Sequence, residues 1–527
     1  MDEDFNTYDY TPNHHLPYPN NNQENIDLIE NITRLAEAVE DSLDDVDDGL
    51  EDKQDTADKT TTIGADSTDT QYPSAKAVYN LFKENKKVYN CGVRVYRGQS
   101  SSALTRLGDA VGKTAAATLD GSYVANDFDN IPPFSLIREE KRHKTTHKIL
   151  SIKGDSDYSS VDGEVMIHFP DTYWKFEEAA DKSYYDMWVS NVPQAGYFKV
   201  DEFCVGKYPL VDDNNNVLCT KSGYQAKGWT SLTSFRSAVA SAYGSNACLM
   251  DWRYDVICSL YLIEFADFNS QTKLGQRQST FRYNFANDKA LIAENNTNRI
   301  IINTTGGNAF IVGQQIGLGT SDGGTQIAKC RTITSKANYS EGGVTGVAIT
   351  FDGDPVNITT SVAIMTYAQF TGTTDNVLAS SGSTSNNGKV AASYRGFETN
   401  SIFDWIDGMA EVNGVHKVCY DPSRYSSTDL SGYEDVDIGF PAVTSGYIKD
   451  LGFDINNPFC RRPVELGGGS STYVTDYCWN NPSGTFGCRV GGYPARGASD
   501  GLFFFAEADS FGYTAWYCGA RVLLYNL

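Results

Sequence analysis

The chain has 527 residues, 40% of them hydrophobic and 12% aromatic, with 43 Lys and Arg against 67 Asp and Glu for a formal charge of -24. That length is enough for about three domains with proper cores. The acidic balance opposes general binding to a phosphate backbone, and no apolar run approaches the roughly 18–20 residues that span a bilayer. The charge is uneven: residues 1–70 hold 20 acidic and 3 basic residues, leaving -7 for the other 457. Met1-Asp2-Glu3-Asp4-Phe5 has neither a basic nor an apolar region, so no secretory signal is expected. The 11 cysteines are odd in number and include no C-x-x-C pair, which implies mostly reduced, buried thiols. Cys478 and Cys488 are the first pair to test for a bond.

Residues 1–22 contain three prolines and no periodicity, as expected of an extended arm. Its aromatics Phe5, Tyr8, Tyr10 and Tyr18 suit an arm that orders on a partner. Over 24–52, Leu28, Ile32, Leu35, Val39, Val46 and Leu50 follow a near-heptad spacing on an acidic background. Such a narrow stripe needs partner helices, so a coiled-coil stalk about 40 Å long is expected, in a parallel trimer. Residues 53–70 are linker-like, and Ser74 is placed to cap a short helix carrying Ala77, Val78, Leu81 and Phe82.

All seven tryptophans lie beyond residue 88, where short β-type runs alternate with Gly, Asn and Ser turns, as at 93–96, 163–169 and 173–176. Two helices are expected, at 231–242 with a Thr230 or Ser231 cap, and near 252–265, nearly apolar all round and therefore buried. Residues 277–390 lack tryptophan and long helical patterns, and read as an all-β insertion with strands at 308–316, 331–334 and 347–354. The final 70 residues are expected to give strands of one sheet at 471–479, 486–490, 502–505 and 515–524.

No catalytic constellation stands out. His143 and His147 read as surface residues, His168 as a strand residue and His416 as a turn residue. Asp352-Gly353-Asp354 reads as a turn rather than a calcium loop. Asp404 and Asp407 read as caps of a turn. No metal or other cofactor is implied. The C-terminal 50 residues are rich in Tyr, Trp, Phe, Arg, Ser, Gly and Asn, the types that dominate adaptable binding surfaces.

Several segments carry a family resemblance. The stretch 67–79, STDTQYPSAKAVY, resembles a segment of bacteriophage tail-fibre proteins. Residues 127–134 (DFDNIPPF), 248–275, 394–398 (YRGFE), 402–408 (IFDWIDG), 489–492 (RVGG), 500–503 (DGLF) and 519–523 (GARVL) resemble phage and prophage fibre proteins. The C-terminal domain of those proteins has the C-type-lectin-like fold of the formylglycine-generating-enzyme type, shared by the variable proteins of diversity-generating retroelements. The resemblance implies a ligand-binding head on a virion, with Tyr477, Trp479, Arg489, Tyr493, Arg496, Phe505, Glu507, Asp509, Tyr513 and Trp516 facing outward. It implies scaffold roles for Gly492, Gly501, Leu502, Gly519 and Arg521. Enzymes of that fold use a cysteine pair and copper. Cys478 and Cys488 are the nearest pair here, but their flanks do not match.

The expected fold class is therefore α+β. An anchoring arm (1–22) leads to an acidic coiled-coil stalk (23–58), then a linker with a short helix (59–88). A C-type-lectin-like head follows (89–276 and 391–527), interrupted by the all-β insertion (277–390). The expected function is a non-enzymatic homotrimeric phage fibre. It is made in the bacterial cytoplasm, docked to a capsid, neck or tail protein, and binds a host-surface glycan or protein. It has no nucleic-acid partner and no membrane insertion. The aromatic, acidic arm and short stalk favour a head-attached fibre. A decoration fibre is the alternative, as is a glycan depolymerase using Asp404 with Asp407, or Glu507 with Asp509.

Overall fold

A computed structural model describes residues 88–116, 125–274, 284–321, 323–367, 370–372, 374–375, 392–399, 402–492 and 499–527, with the backbone of 8–10, 17–19, 59–60 and 72–73. The chain divides into two compact units, Met1–Val88 and Tyr89–Leu527.

In the first unit, Tyr8–Tyr10 pairs antiparallel with Pro17–Pro19, placing Asp9 opposite Tyr18. Lys59–Thr60 pairs in parallel with Tyr72–Pro73. Three of the four expected anchoring residues, Tyr8, Tyr10 and Tyr18, thus lie on short paired strands. Phe5, the heptad residues Leu28, Ile32, Leu35, Val39, Val46 and Leu50, and the helix expected after Ser74 lie outside the described residues.

The fold class needs correction. Among the described residues the protein is β-rich, with 40% strand and 12% helix in four helices, and no coiled-coil stalk is seen. The body of the chain is built from β-branched and aromatic runs cut by turn residues, which favour strands.

Three sheets make up most of the second unit. The first is antiparallel, in the order Phe198–Val200, Thr172–Glu178, Tyr184–Ser190, Asn90–Tyr96, Thr105–Gly108. The second runs Ala247–Leu249, Val522–Tyr525, Phe203–Gly206, Glu164–Phe169, Arg138–Arg142, Ile149–Ile152. The third runs Glu434–Asp435, Val415–Val418, Phe403–Val412, Thr485–Val490, Phe505–Asp509, Tyr477–Asn480, Ser445–Gly452, Arg462–Leu466. Cys518–Ala520 joins it in parallel on Phe403–Val412. The chain end therefore serves two sheets rather than the expected one.

Both expected helices of the head form. Leu232–Tyr243 starts at Ser231, whose side chain accepts from the Ser234 N–H, and buries Leu232, Phe235, Val239 and Tyr243 on one face. Arg253–Phe265 is buried from Tyr254 to Phe265. A fully buried helix cannot leave a charge unpaired. Its Asp255 pairs with Arg461, which also donates to Ser259 Oγ at 2.7 Å. Its Glu264 pairs with Arg395 at 2.6 Å.

The insertion folds as an antiparallel sheet of Arg299–Ile302, Val344–Phe351, Ala328–Glu341, Gln315–Gly319 and Ala363–Thr366. Ile300, Ile302, Phe310, Ile316, Leu318, Ile349 and Ile364 form its separate core. The strand expected at 308–316 is instead the end of a short helix, Thr304–Ala309, followed by a turn and then strand Gln315–Gly319. Gly307 lets that helix press against the sheet, while its neighbour Gly306 packs on the Asp288 carboxylate. A Cβ on Gly307 would lie 2.3 Å from Val347 Cβ.

Candidate functional site: an aromatic face on the C-terminal sheet

Side chains alternate across a sheet, so the register of the third sheet decides which candidates share a face. Trp405 lies opposite Arg489, Arg489 opposite Ala506, and Ala506 opposite Trp479. The adjacent row is Asp404, Val490, Phe505 and Cys478. Phe505 and Cys478 belong to the main core. The row of Trp405, Arg489 and Trp479 therefore faces the other way, toward the C-terminal loops.

On that face the aromatic rings form a ladder. Ring centroids follow one another from Tyr447 to Tyr477 (5.2 Å), Trp479 (4.7 Å), Phe504 (5.4 Å), Phe403 (4.9 Å), Tyr517 (5.8 Å), Trp516 (5.5 Å) and Tyr367 (5.0 Å). All are offset, tilted or edge-on contacts within the favourable range for ring pairs. Tyr447, Tyr477, Trp479 and Tyr517 are half-buried, so one side of the ladder reaches solvent. The hydroxyls of Tyr513 and Tyr517 meet at 2.7 Å.

Arg489 is enclosed by this face. Its guanidinium carbon lies 5.2 Å from the Phe403 ring, 5.0 Å from Trp405 and 5.1 Å from Tyr513. It is salt-bridged to Asp509, whose side chain is 31% exposed, and it donates to Cys518 Sγ at 2.9 Å. The geometry combines cation–π packing with a charge partner at the rim.

The structure thus brings Tyr477, Trp479, Arg489, Asp509, Tyr513 and Trp516 together. Of these Arg489 and Trp516 are buried. It separates Phe505 and Glu507, which alternate inward because Ala506 between them faces the ladder. Tyr493 and Arg496 lie outside the described residues. Gly492 takes φ +73, and a Cβ there would lie 2.3 Å from Asp500 Cγ.

Glu507 belongs to a buried polar group behind the face. Arg462 Nε meets its Oε1 at 2.9 Å, and His416 Nδ1 lies 3.5 Å from its Oε2. Glu411 sits nearby, and burial, opposed by the Gly414 N–H and reinforced by the Glu507 charge, pushes its carboxyl up to about 7. Burial also holds the His416 imidazole below its ordinary value. His416 lies on strand Val415–Val418 rather than in a turn.

The other charged candidates are structural. Asp404 and Asp407 lie on strand Phe403–Val412, not in a turn. Asp404 pairs with Arg521 at 2.6 Å, and Asp407 binds Arg236 through two contacts of 2.7 Å. Each carboxylate offered for a hydrolytic pair therefore has its own arginine. His147 is buried against the Tyr243 carbonyl at 3.1 Å, contrary to its surface reading. His168 meets Glu202 at 2.8 Å. Across Asp352-Gly353-Asp354, Arg331 donates to the Asp352 and Asp354 carbonyls at 3.3 and 3.2 Å, which fills the turn.

Among the described residues, no group of three or more His, Cys, Asp or Glu side chains could hold a metal ion. All 11 cysteines are free, Cys478 and Cys488 included. Burial pushes both of those thiols up.

Trp229 was not anticipated. It is 55% exposed and has φ +54, an outlying conformation for a bulky residue. Its N–H donates to the Ala515 carbonyl at 2.7 Å, and a Cβ on Gly228 would lie 2.2 Å from the Trp516 carbonyl. Its side chain faces the Tyr367 hydroxyl, so it stands at the Trp516–Tyr367 end of the ladder. The sequence cue was a tryptophan between Gly228 and Thr230 in a polar loop, about 250 residues from the first of the C-terminal candidates. No protein-family model matches this chain, and no curated protein matches it.

Proposed function

We propose that the protein is a structural fibre protein of a bacteriophage virion, and that its aromatic face is the surface that contacts the host cell. The observation that carries this reading is the ring ladder from Tyr447 to Tyr367, half-exposed along one side and ended by the exposed indole of Trp229. Rigid aromatic rings give contact area at little entropic cost, and the Tyr hydroxyls and Asp509 add polar contacts at the rim. The fibre resemblance of the motifs supplies the virion setting. The short proline- and tyrosine-containing strands Tyr8–Tyr10 and Pro17–Pro19 then serve as the anchor to a capsid, neck or tail protein. Assembly as a homotrimer multiplies weak sites through effective concentration. Free thiols accord with synthesis in a bacterial cytoplasm.

Binding is favoured over glycan hydrolysis by the arginine partners of Asp404, Asp407, Glu507 and Asp509. A hydrolytic pair needs two carboxyl groups open to the scissile bond.

The test is adsorption of purified full-length protein to a panel of bacterial strains differing in surface polysaccharide, beside a Tyr477→Ala/Trp479→Ala variant. Saturable binding to at least one strain, lost in the folded variant, is the expected result. Absence of binding to every strain, or equal binding by the variant, sinks the reading.

A further inference from the structure

A groove of 380 Å³ shares no residue with the aromatic ladder. That volume is within the range of small-ligand sites, about 300–1,000 Å³. Its wall is aromatic. Phe198, 44% exposed, meets Phe459 edge-on at 6.0 Å. Trp252 lies tilted at 5.8 Å from Phe459 and edge-on at 5.2 Å to Tyr420. Ile455, 43% exposed, adds apolar surface, and Asn456 adds an amide.

Trp252 Nε1 and Tyr420 Oη are buried behind this wall, so the polar groups open to the groove are the Asn456 amide, which both donates and accepts, and the Lys199 ammonium. The lining cation, Lys199, is already held by Asp171 at 2.7 Å and Asp201 at 3.0 Å. Two carboxylates against one ammonium leave the site with no attraction for an anion. A ligand suited to it is uncharged, flat and apolar on one face, and edged with hydroxyls. A hexopyranose ring has that form: a C–H face for the aromatic wall, and hydroxyls for the Asn456 amide.

We propose that this groove is a second, separate glycan-binding site that takes a neutral hexose unit of an oligosaccharide. It does not depend on the role assigned to the ladder.

The test is titration of the full-length protein with maltotriose, cellotriose and chitotriose, read by saturation-transfer NMR and tryptophan fluorescence. At least one sugar is expected to bind saturably. Ile455→Arg, which lays a long charged side chain over the groove, is expected to weaken that binding at least tenfold, and Asn456→Ala severalfold. Trp479→Ala, on the ladder, is expected to bind as the parent does, so a failed ladder reading and a failed groove reading are told apart. Thermal melts check that each variant folds, and if Ile455→Arg does not, Asn456→Ala decides. No saturable binding by any of the three sugars overturns the proposal. So does parental affinity in every folded groove variant, or loss of sugar binding in Trp479→Ala alone.

Discussion

The rings of Trp516 and Tyr367 stack with centroids 5.0 Å apart and planes 18° from parallel. Tyr367 directly follows the last strand of the insertion, Ala363–Thr366, while Trp516 lies just before Cys518–Ala520 of the third sheet. One stacked pair thus joins the insertion to the candidate face. Replacing either large buried ring by Ala should cost about 3–5 kcal/mol. The double variant should lose less than the sum, by about 0.5–1.5 kcal/mol, the coupling of a ring pair beyond its area. A denaturant double-mutant cycle measures it, and strict additivity would show that the insertion is held elsewhere.

A buried ion pair pins the central helix in the same way. Arg395 binds Glu264 through contacts of 2.6 and 3.0 Å and reaches Asp129 at 2.6 Å, while Asn126 and Tyr394 also donate to Glu264. Arg395→Ala should therefore destabilise by about 3–5 kcal/mol, mostly because Glu264 is left buried without its cation. Arg395→Met with Glu264→Gln should recover part of that loss. Equal losses in the single and double variants would contradict this account.

That pin also shows what could be read from sequence. The segments that carry the family resemblance meet in space: 127–134 supplies Asp129, 248–275 supplies Glu264, and 394–398 supplies Arg395. Similarly, 402–408 supplies Asp404 and 519–523 supplies Arg521. The motifs were visible as patterns, but Asp404 looked like a turn cap or a candidate acid because pairing across more than 100 residues leaves no local trace. The buried helix was legible from its nearly all-round apolar pattern, and the Ser231 cap from its position before a periodic segment. The faces of Phe505 and Glu507 were not legible. Period-two alternation fixes which residues share a face, but only the cross-strand register to Trp479 shows which face looks outward. Trp229 was hidden for a related reason, since its neighbour Ala515 is nearly 300 positions away.

The buried group around Glu411 predicts a pH dependence. Its carboxyl, at about 7 when folded and 4.5 ordinarily, keeps its proton longer in the folded chain. Its contribution to stability is therefore complete below pH 4.5 and is lost as the pH rises to 7. His416, facing Glu507, Arg462 and the Pro463 backbone, acts in the opposite sense, since its depressed value costs stability as the pH falls below 6.5. Comparing the parent with Glu411→Gln isolates the first effect. The two proteins should melt together near pH 4.5, and the variant should melt higher by a few degrees at pH 7.5. A difference that does not change with pH would refute the assignment.

Trp229 separates a strained residue kept for binding from one kept for architecture. A bulky residue at φ +54 costs on the order of 1–3 kcal/mol, and 55% exposure of its indole returns little burial. Asn tolerates the left-handed region better. Trp229→Asn should therefore change stability by no more than about 1 kcal/mol in either direction. If the exposed indole is a contact of the aromatic face, the same change should weaken adsorption to a bound strain at least tenfold, about 1.4 kcal/mol. Trp229→Phe keeps an exposed ring and should retain part of the binding. Parental adsorption by Trp229→Asn would remove this residue from the face, leaving the Tyr477 and Trp479 end of the ladder to carry the contact.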